Sequence, residues 1–319
     1  MKKGFIIAAV VLIAIGVIIF VTAFIASGFD FSKLDTAKYE TNTYTVSEDV
    51  ERVEIKSQEA DITFKQSEDG KLRVDCIERE KVKHEVSVEN GTLRIIAVDK
   101  RSWYDHLTLF SIKSQSITVY LPFEHYEVLT IATNTGDVSV PDLFSFNDVD
   151  ITMSTGDVSF DASSDGRLKI KTSTGDIGID GVSADNIDLS VSTGSIEVKN
   201  VNCKENLSVK VSTGKTVLTD VVCKELISTG STGGITLKNV VATNIINVER
   251  SIGDVRFENC DAGQITIKTS TGDVTGTLCS EKVFITKTST GDINVPDTVS
   301  GGRCEITTST GDISVSIIK

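Results

Sequence analysis

The sequence predicts an all-β chain whose main part is a single-chain parallel β-solenoid of about ten coils, preceded by one transmembrane helix. Three observations indicate this fold. A Ser-Thr-Gly-Asp phrase returns every 19 or 20 residues from Thr135 to the C-terminus, apolar residues alternate on both sides of each phrase, and helical spacing is absent between the phrases. Such a period is typical of stacked coils, none of which can bury its apolar face alone.

Residues 1–27 are predicted to be a membrane anchor. Lys2 and Lys3 precede residues 4–26, which form a run of 23 residues without a charge. A helix of that length spans a bilayer once, and the two lysines favour a cytoplasmic N-terminus with the bulk of the chain outside the cell membrane. A cleaved signal peptide is the alternative, although the apolar region of a signal peptide is usually only about 7 to 15 residues long.

The next two segments lead into the repeats. Residues 28–44 are polar and mixed in charge, which is typical of a stalk that leaves the membrane. Residues 45–125 contain short alternating strands, with hairpin signals at residues 68–70 and 89–91.

The start of this lead region resembles a degenerate repeat. Residues 55–62 echo residues 170–177, with Ala60 at the place of Gly175. We therefore expect residues 45–125 to begin the same β-structure, to cap the solenoid of residues 126–319 and to cover its first exposed edge.

Each coil is predicted to consist of a strand, a tight turn, a second strand and a loop. Inward apolar residues lie seven and five positions before each turn glycine and two and four positions after it. Around Gly175 these residues are Leu168, Ile170, Ile177 and Ile179. A spacing of two is strand spacing, and β-branched residues suit a half-buried pleated surface. The glycine is expected to supply a positive φ that other residues disfavour.

The residue after the glycine predicts an acidic column on the outside of the turns. The carboxylates are Asp137, Asp157, Asp176, Asp254, Asp273, Asp292 and Asp312. Ser195, Lys215 and Gly234 interrupt the column in three coils. Carboxylates about 5 Å apart resemble the pair of a retaining glycosidase, and stacked oxygens can bind calcium. We expect these aspartates to be turn residues whose carboxylates accept hydrogen bonds from backbone N–H groups. Weak calcium binding is the alternative.

The other motifs predict no catalytic, cofactor or metal site. Residues 212–216 resemble the end of a phosphate-binding loop, but Val209 stands where its first glycine is required and a strand follows. The histidines, His84, His106 and His125, lie in different strands or loops without ligand spacing. We therefore expect that the chain is not an enzyme.

The cysteines of the repeats are predicted to be core residues. Cys203, Cys223, Cys260, Cys279 and Cys304 fall where other coils have small or branched apolar residues. Equivalent positions in adjacent coils lie about 4.8 Å apart. Disulfides that join Cys203 to Cys223 and Cys260 to Cys279 are therefore the alternative in an exported chain.

Two stretches depart from the repeat. Residues 99–115 are predicted to include a contact loop that carries the side chains of Trp103, Tyr104, His106 and Phe110. The alternative is that these side chains fold back and plug the end of the core. The chain stops at Lys319, half a coil after Gly311, without a polar cap. This ending predicts an uncovered last strand and self-association through that C-terminal edge.

The charge balance limits the partners. The formal net charge is -13, with 45 acidic against 32 basic residues. Such a surface repels the phosphate backbone of nucleic acids, which are therefore excluded as partners. A cell-wall polymer or a surface protein is expected instead, besides the membrane that holds the N-terminal helix.

These motifs resemble those of the bacterial family of β-strand-repeat "putative adhesins", whose function is unknown. Residues 154–158 and 289–293 recur at the spacing of that family, and the resemblance covers about residues 45–319. It implies a β-solenoid at the cell surface, and some relatives are linked to envelope stress responses. We expect a non-catalytic binding, adhesion or scaffold module of the envelope. The alternatives are a sensor of envelope stress that works through a membrane partner and a polysaccharide-acting β-helix enzyme.

Overall fold

The computed structural model describes residues 2–26, 28–29, 38–102 and 114–318. Helix α1 (Lys2–Ala26) precedes twenty-six strands in these residues. Residues 4–26 of α1 are apolar, long enough to cross a membrane and not buried against any other part of the described chain.

Seven strands form the lead region and nineteen form the solenoid. The lead strands are β1 (Tyr39–Val46), β2 (Arg52–Lys56), β3 (Asp61–Gln66), β4 (Leu72–Arg79), β5 (Val82–Glu89), β6 (Thr92–Asp99) and β7 (Ser116–Leu121). The solenoid strands are β8 (His125–Thr135), β9 (Val138–Val140), β10 (Ser145–Thr155), β11 (Val158–Phe160), β12 (Ser163–Ser164), β13 (Arg167–Thr174), β14 (Ile177–Asp180), β15 (Ser183–Ala184), β16 (Asn186–Thr193), β17 (Ile196–Cys203), β18 (Asn206–Thr213), β19 (Thr216–Thr232), β20 (Ile235–Ile252), β21 (Val255–Lys268), β22 (Val274–Leu278), β23 (Lys282–Lys287), β24 (Ile293–Asn294), β25 (Gly302–Thr307) and β26 (Ile313–Ile317).

From β8 onward the chain winds as a parallel solenoid, as predicted. Strand β10 pairs in parallel with β8 on one side and with β13 on the other. The register aligns equivalent residues of successive coils, so that Ile151 lies between Ile131 and Ile170. The apolar residues therefore form continuous ladders inside the stack.

These ladders are the core of the protein. The four inward residues around the turn of one coil, Leu168, Ile170, Ile177 and Ile179, are at most 2% exposed. Burial of a branched aliphatic side chain contributes roughly 1.5–3 kcal/mol relative to its exposure. Because every coil repeats the set, the stack is held together mainly by contacts between neighbouring coils.

The turn glycine is required by stacking as well as by φ. Gly214 has a φ of +141°, and a Cβ added to it would collide with the carbonyl oxygen of Gly194 in the preceding coil. The second corner of the coil tolerates side chains, since the left-handed position of Gly181 (φ +72°) is occupied in the next coil by Asn200 (φ +51°). Asparagine is a residue that adopts this region readily.

The N-terminal coils are not stacked in chain order. Strand β2 lies between β6 and β8, and β3 lies between β7 and β9. The antiparallel strands β5 and β4 cover β6 and β7 respectively, and β1 pairs with the outer edge of β4. The lead region is therefore the predicted degenerate cap, with Ala60 under Gly136 in the place of a turn glycine.

Two details of the lead region differ from the predictions. Residues 39–46 form β1 and belong to the sheet, so regular structure begins inside the expected stalk, of which residues 30–37 lie outside the described chain. The turn at residues 89–91 joins the antiparallel pair β5 and β6, as predicted. The turn at residues 68–70 joins β3 to β4, which lie on opposite sides of β7, so this turn does not close a hairpin.

The C-terminal coils are also stacked out of chain order. Strand β25 lies between β21 and β23, and β26 pairs with the whole of β22 and with both residues of β24. The coil of Gly311 is therefore inside the stack, and the coil of Gly291 forms its end. The prediction of an uncovered C-terminal strand is wrong, because the open edge of the described chain at this end belongs to β23 and β24.

Apolar content explains this order. Ile306 and Ile313 of the inserted coil are fully buried, whereas the end coil has the polar Thr286 opposite Ile306, and its Ile293, opposite Ile313, is 46% exposed. A coil with a complete inward set gains more from two neighbours than from one, because burial energy scales with the apolar area removed from water. The coil with the weaker set therefore occupies the end.

Candidate functional site

The acidic column is the surface feature predicted from the sequence, and the structure gives its carboxylates a structural role. All seven aspartates are exposed at the turn edge. The Oδ1 atom of Asp137 accepts the backbone N–H of Asp157 at 2.9 Å, and Asp157 Oδ1 accepts that of Asp176 at 2.7 Å. Each such carboxylate satisfies a turn N–H of the neighbouring coil, as the turn-residue interpretation predicted.

The column follows the order of the coils in space. Asp61 begins it by accepting the N–H of Asp137 at 3.0 Å. At the other end, Asp312 donates its N–H to Asp273 at 2.9 Å and accepts that of Asp292 at 2.8 Å. The column therefore consists of two hydrogen-bonded segments, one from Asp61 to the N–H of Ser195 and one from Asp254 through the inserted C-terminal coil.

Calcium binding by the column stays a prediction. In the described part of the chain, no three column carboxylates bring ligand oxygens within 4.8 Å of one another. Calcium takes six to eight oxygen ligands. Any ion at the column would therefore need water for most of its coordination sphere.

The aromatic contact loop lies outside the described residues, which include none of Trp103, Tyr104, His106 and Phe110. The structure does describe its attachment. Strands β6 and β7, which flank the loop in the chain, pair in parallel with β2 and β3 respectively. Next to the loop, Arg101 forms a 2.7 Å ion pair with Asp99.

The six cysteines are free thiols in the structure, and five of them are buried. Burial raises the pKa of the Cys203 thiol, and it raises that of Cys223 to about 12. Cys279 is exposed rather than in the core, because a register shift after Phe257 places Leu278 opposite Cys260. Disulfide formation by Cys203 with Cys223 and by Cys260 with Cys279 remains a prediction.

A buried polar cluster in the cap was not predicted. Glu78 Oε2 accepts the backbone N–H of His84 at 2.7 Å and lies 2.9 Å from its Nδ1 atom. Asn42 Nδ2 donates to the other Glu78 oxygen at 2.7 Å, and His84 Nε2 lies 3.1 Å from Ser57 Oγ. Glu78 is 0% and His84 2% exposed. The cluster therefore joins strands β1, β4 and β5 and the residue that directly follows β2 through a hydrogen-bonded network.

This cluster has the composition of a metal site and the bonding of a structural network. Cys76, Glu78 and His84 bring ligand atoms within 4.8 Å of one another, the one such group in the described chain, and all three are zinc ligand types. The hydrogen bonds already occupy the carboxylate and the imidazole. Burial, and then Glu78, raise the pKa of the Cys76 thiol to about 12, which disfavours the thiolate that a metal requires. The histidine was missed because antiparallel packing, not sequence spacing, brings it to Glu78.

Comparison with known proteins places these features in a wider group. A family model described as Toastrack DUF4097 matches residues 50–215 and 202–319. None of the curated proteins searched matches the chain. The family match therefore covers the solenoid and all of the lead region from residue 50 onward.

Three solved structures show a likeness to this chain. A "putative adhesin" from Bacteroides fragilis NCTC 9343 is 14% identical, with a TM-score of 0.44 over 88% of this chain and 97% of that chain. A "putative lipid binding protein" from Parabacteroides distasonis ATCC 8503 is 18% identical, with a TM-score of 0.47 over 76% of this chain and 95% of that chain. A "putative adhesin" from Parabacteroides merdae ATCC 43184 is 12% identical, with a TM-score of 0.43 over 76% of this chain and 97% of that chain.

Proposed function

This chain belongs to the Toastrack DUF4097 family, and we propose that it is a membrane-anchored, extracytoplasmic β-solenoid that acts as a non-catalytic binding or adhesion module of the cell envelope. The observation that carries the proposal is the joining of an unburied apolar helix to one continuous stack of β-coils. A stack of coils presents an extended surface, which suits a polymer or a surface protein better than a small substrate.

The helix supplies the attachment to the membrane. Apart from an edge contact between the rings of Phe24 and Phe29, residues 4–26 leave their apolar surface unburied in the described chain, so lipid is the environment that satisfies them. Lys2 and Lys3 orient the helix with its N-terminus in the cytoplasm. The solenoid then lies outside the membrane, where a wall polymer or a neighbouring surface protein is within reach.

The absence of a catalytic role is supported by the use of the column carboxylates. Asp157 both accepts the N–H of Asp176 and donates its own N–H to Asp137. The same acceptor role recurs at Asp137, Asp176, Asp254, Asp273 and Asp312, so these groups serve the stack along both segments of the column. A repeated structural residue is a poor candidate for a unique acid or base, which needs an environment of its own.

Membrane attachment is tested with the full chain in cells. We expect the intact mass in the membrane fraction after an alkaline wash, and cleavage of the solenoid by protease added outside the cell. Ile13→Arg places a charge near the middle of the helix. This change makes the free energy of membrane insertion less favourable by about 2.5–3.5 kcal/mol and should reduce the membrane-bound fraction. A chain that begins near residue 27 and is found in the medium would show a cleaved signal peptide instead.

Envelope binding is tested by sedimenting the detergent-purified full chain with wall sacculi, with and without calcium. We expect saturable binding that weakens in the Trp103→Ala, Tyr104→Ala double variant. The matched control is Phe123→Ala, which removes an aromatic side chain that is 59% exposed outside the contact loop. Equal binding of all three proteins would move the contact to the coil faces, and no binding by any of them would contradict a wall polymer as partner.

A further inference from the structure

Two inward positions that are apolar in neighbouring coils are polar at one place in the solenoid. Ser228 lies in the ladder between Val209 and Val248. Thr216 lies in the opposite ladder between Ile196 and Ile235. Both polar side chains are at most 1% exposed, so the core itself changes character in these coils.

The third polar side chain is Arg250, which is 5% exposed. Its Nη2 atom donates to Ser228 Oγ at 2.8 Å and to Thr216 Oγ1 at 3.3 Å, and its Nη1 atom donates to the backbone carbonyl of Glu249 at 2.9 Å. Arg250 pairs across the ladder with Gly230, where a Cβ would lie only 3.1 Å from Arg250 Cδ. The glycine therefore leaves the room that the guanidinium occupies.

Arg250 has hydroxyl and carbonyl partners but no counter-ion in the described chain. Its three hydrogen bonds use three of the five N–H groups of a guanidinium. Burial lowers the pKa of Arg250 to about 10, so the group remains charged at neutral pH. A buried charge without an opposite charge is costly, which makes an anion the missing partner.

A cleft reaches this guanidinium from the surface. It has a volume of about 450 Å³ and is lined by Lys210, Lys268, Glu249 and Gly230 as well as by Arg250. Four stacked serines, Ser212, Ser231, Ser251 and Ser270, complete the polar lining. Three cations therefore face one carboxylate, although the chain as a whole is acidic.

The acidic column is interrupted beside this cleft. Ser195, Lys215 and Gly234 follow the turn glycines of three successive coils, and Lys215 and Gly234 belong to the coils that supply Thr216 and Ser228. Two of the four coils that line the cleft therefore lack the carboxylate that would repel an anion, whereas the coils of Arg250 and Lys268 keep it as Asp254 and Asp273.

We propose that the cleft over Arg250 is a binding site for a phosphate-class oxyanion, either a free ion or the phosphate group of a larger ligand. A guanidinium presents its N–H groups as a planar fork that matches the oxygens of phosphate, and hydroxyls and lysines complete such sites. The cleft volume exceeds the roughly 30 Å³ of one water molecule more than tenfold, so an attached organic group fits as well. This site is independent of the proposed envelope binding.

The test is equilibrium dialysis of the full chain in detergent with labelled inorganic phosphate or glycerol phosphate, at constant ionic strength set by chloride. We expect saturable binding near one phosphate per chain. Arg250→Gln should weaken it about ten- to a hundredfold, because charge-assisted hydrogen bonds to the ligand are lost. Tighter binding of glycerol phosphate would identify an esterified phosphate, and tighter binding of the inorganic ion would identify a free-ion site.

A second pair of variants keeps the test valid if Arg250→Gln fails to fold. Lys210 and Lys268 are exposed, so the double change to glutamine leaves the core intact and should weaken phosphate binding several-fold. The matched control is Lys171→Gln, an exposed lysine at the same repeat position in a coil that does not line the cleft. The proposal would be overturned if neither probe showed saturable binding. It would also be overturned if Lys171→Gln weakened phosphate binding as much as the double variant does.

Discussion

Val274 pairs with Ile313 of the last strand and not with Ile293 of the next repeat. The last coil of the sequence is therefore inserted between the two coils that precede it in the chain. The lead region uses the same device, since β2 and β3 are inserted between the coil of β6 and β7 and the coil of β8 and β9. In a stack with nearest-neighbour contacts, an inserted coil is protected on both sides, so the coils that fray first are not those nearest the chain termini.

This order predicts losses of stability of different size for substitutions of two equivalent isoleucines. Ile313→Ala removes a side chain that is 0% exposed and should lower the free energy of unfolding by about 2–5 kcal/mol. Ile293→Ala changes a side chain that is 46% exposed and should cost about 1 kcal/mol or less. Urea unfolding and hydrogen exchange of residues 302–317 measure the difference. A larger cost for Ile293→Ala would mean that the coils stack in chain order.

The two corners of a coil should respond differently to asparagine. Gly214→Asn places a side chain against the carbonyl oxygen of Gly194, at a φ of +141° that L-residues rarely adopt, and should cost about 3 kcal/mol or more. Gly181→Asn has nothing within 4 Å of its added Cβ, and Asn200 occupies the equivalent corner, so its cost should be below about 1 kcal/mol. Thermal unfolding of the two variants compares them, and equal losses would contradict a special requirement for glycine at the first corner.

The acidic column should need its hydrogen-bond acceptors more than its charges. Asp157→Ala leaves the N–H of Asp176 without its 2.7 Å acceptor and should cost about 1–2 kcal/mol. Asp157→Asn keeps an acceptor oxygen at the same place and should cost less than half of that. Denaturant midpoints of both variants test this. If calcium stabilises the wild type but neither the asparagine nor the alanine variant, the ion binds at the column. Equal destabilisation by the two changes would instead mean that the negative charge matters.

The coil was predictable from the sequence because its determinants are local. The glycine of the turn and the alternating apolar residues, such as Ile170 and Ile177, lie within one period and repeat with it. The order of the coils was not predictable in the same way. Every coil presents the same pattern to its neighbours, so the choice between Ile293 and Ile313 as the partner of Val274 depends on how completely each coil fills the core, which is a property of the packed stack.

The polar sites also differ in how far the sequence predicts them. Ser228 and Thr216 each occupy a position that is apolar in adjacent coils, and Arg250 stands where those coils have Gly230 and Thr269, so an internal alignment of the repeats contains the signal. Each substitution alone resembles an ordinary variation, and only stacking brings the three side chains into contact. The Glu78 and His84 pair has no such signal, because the antiparallel cap does not follow the repeat.

The buried thiols predict loss of stability at alkaline pH. Burial raises the pKa of Cys223 from its ordinary value of 9.0 to about 12. The unfolded chain therefore releases this proton above about pH 9, whereas the folded chain keeps it up to about pH 12. Since the unfolded state binds fewer protons in that window, the contribution of this thiol to stability is complete below pH 9 and decreases as the pH rises, by about 2 kcal/mol at about pH 10.5.

A comparison of two core variants isolates this effect. Cys223→Ala removes the titrating group and should lose less stability than the wild type between about pH 8 and about pH 10.5. Val221→Ala makes a cavity at an equally buried neighbour without removing a thiol, so its stability should decrease with pH in parallel with the wild type. Urea unfolding across this pH range measures both slopes. Parallel curves for all three proteins would mean that the Cys223 thiol titrates alike in the folded and unfolded chains, or that it is held in a disulfide with Cys203, which mass spectrometry of the alkylated protein distinguishes.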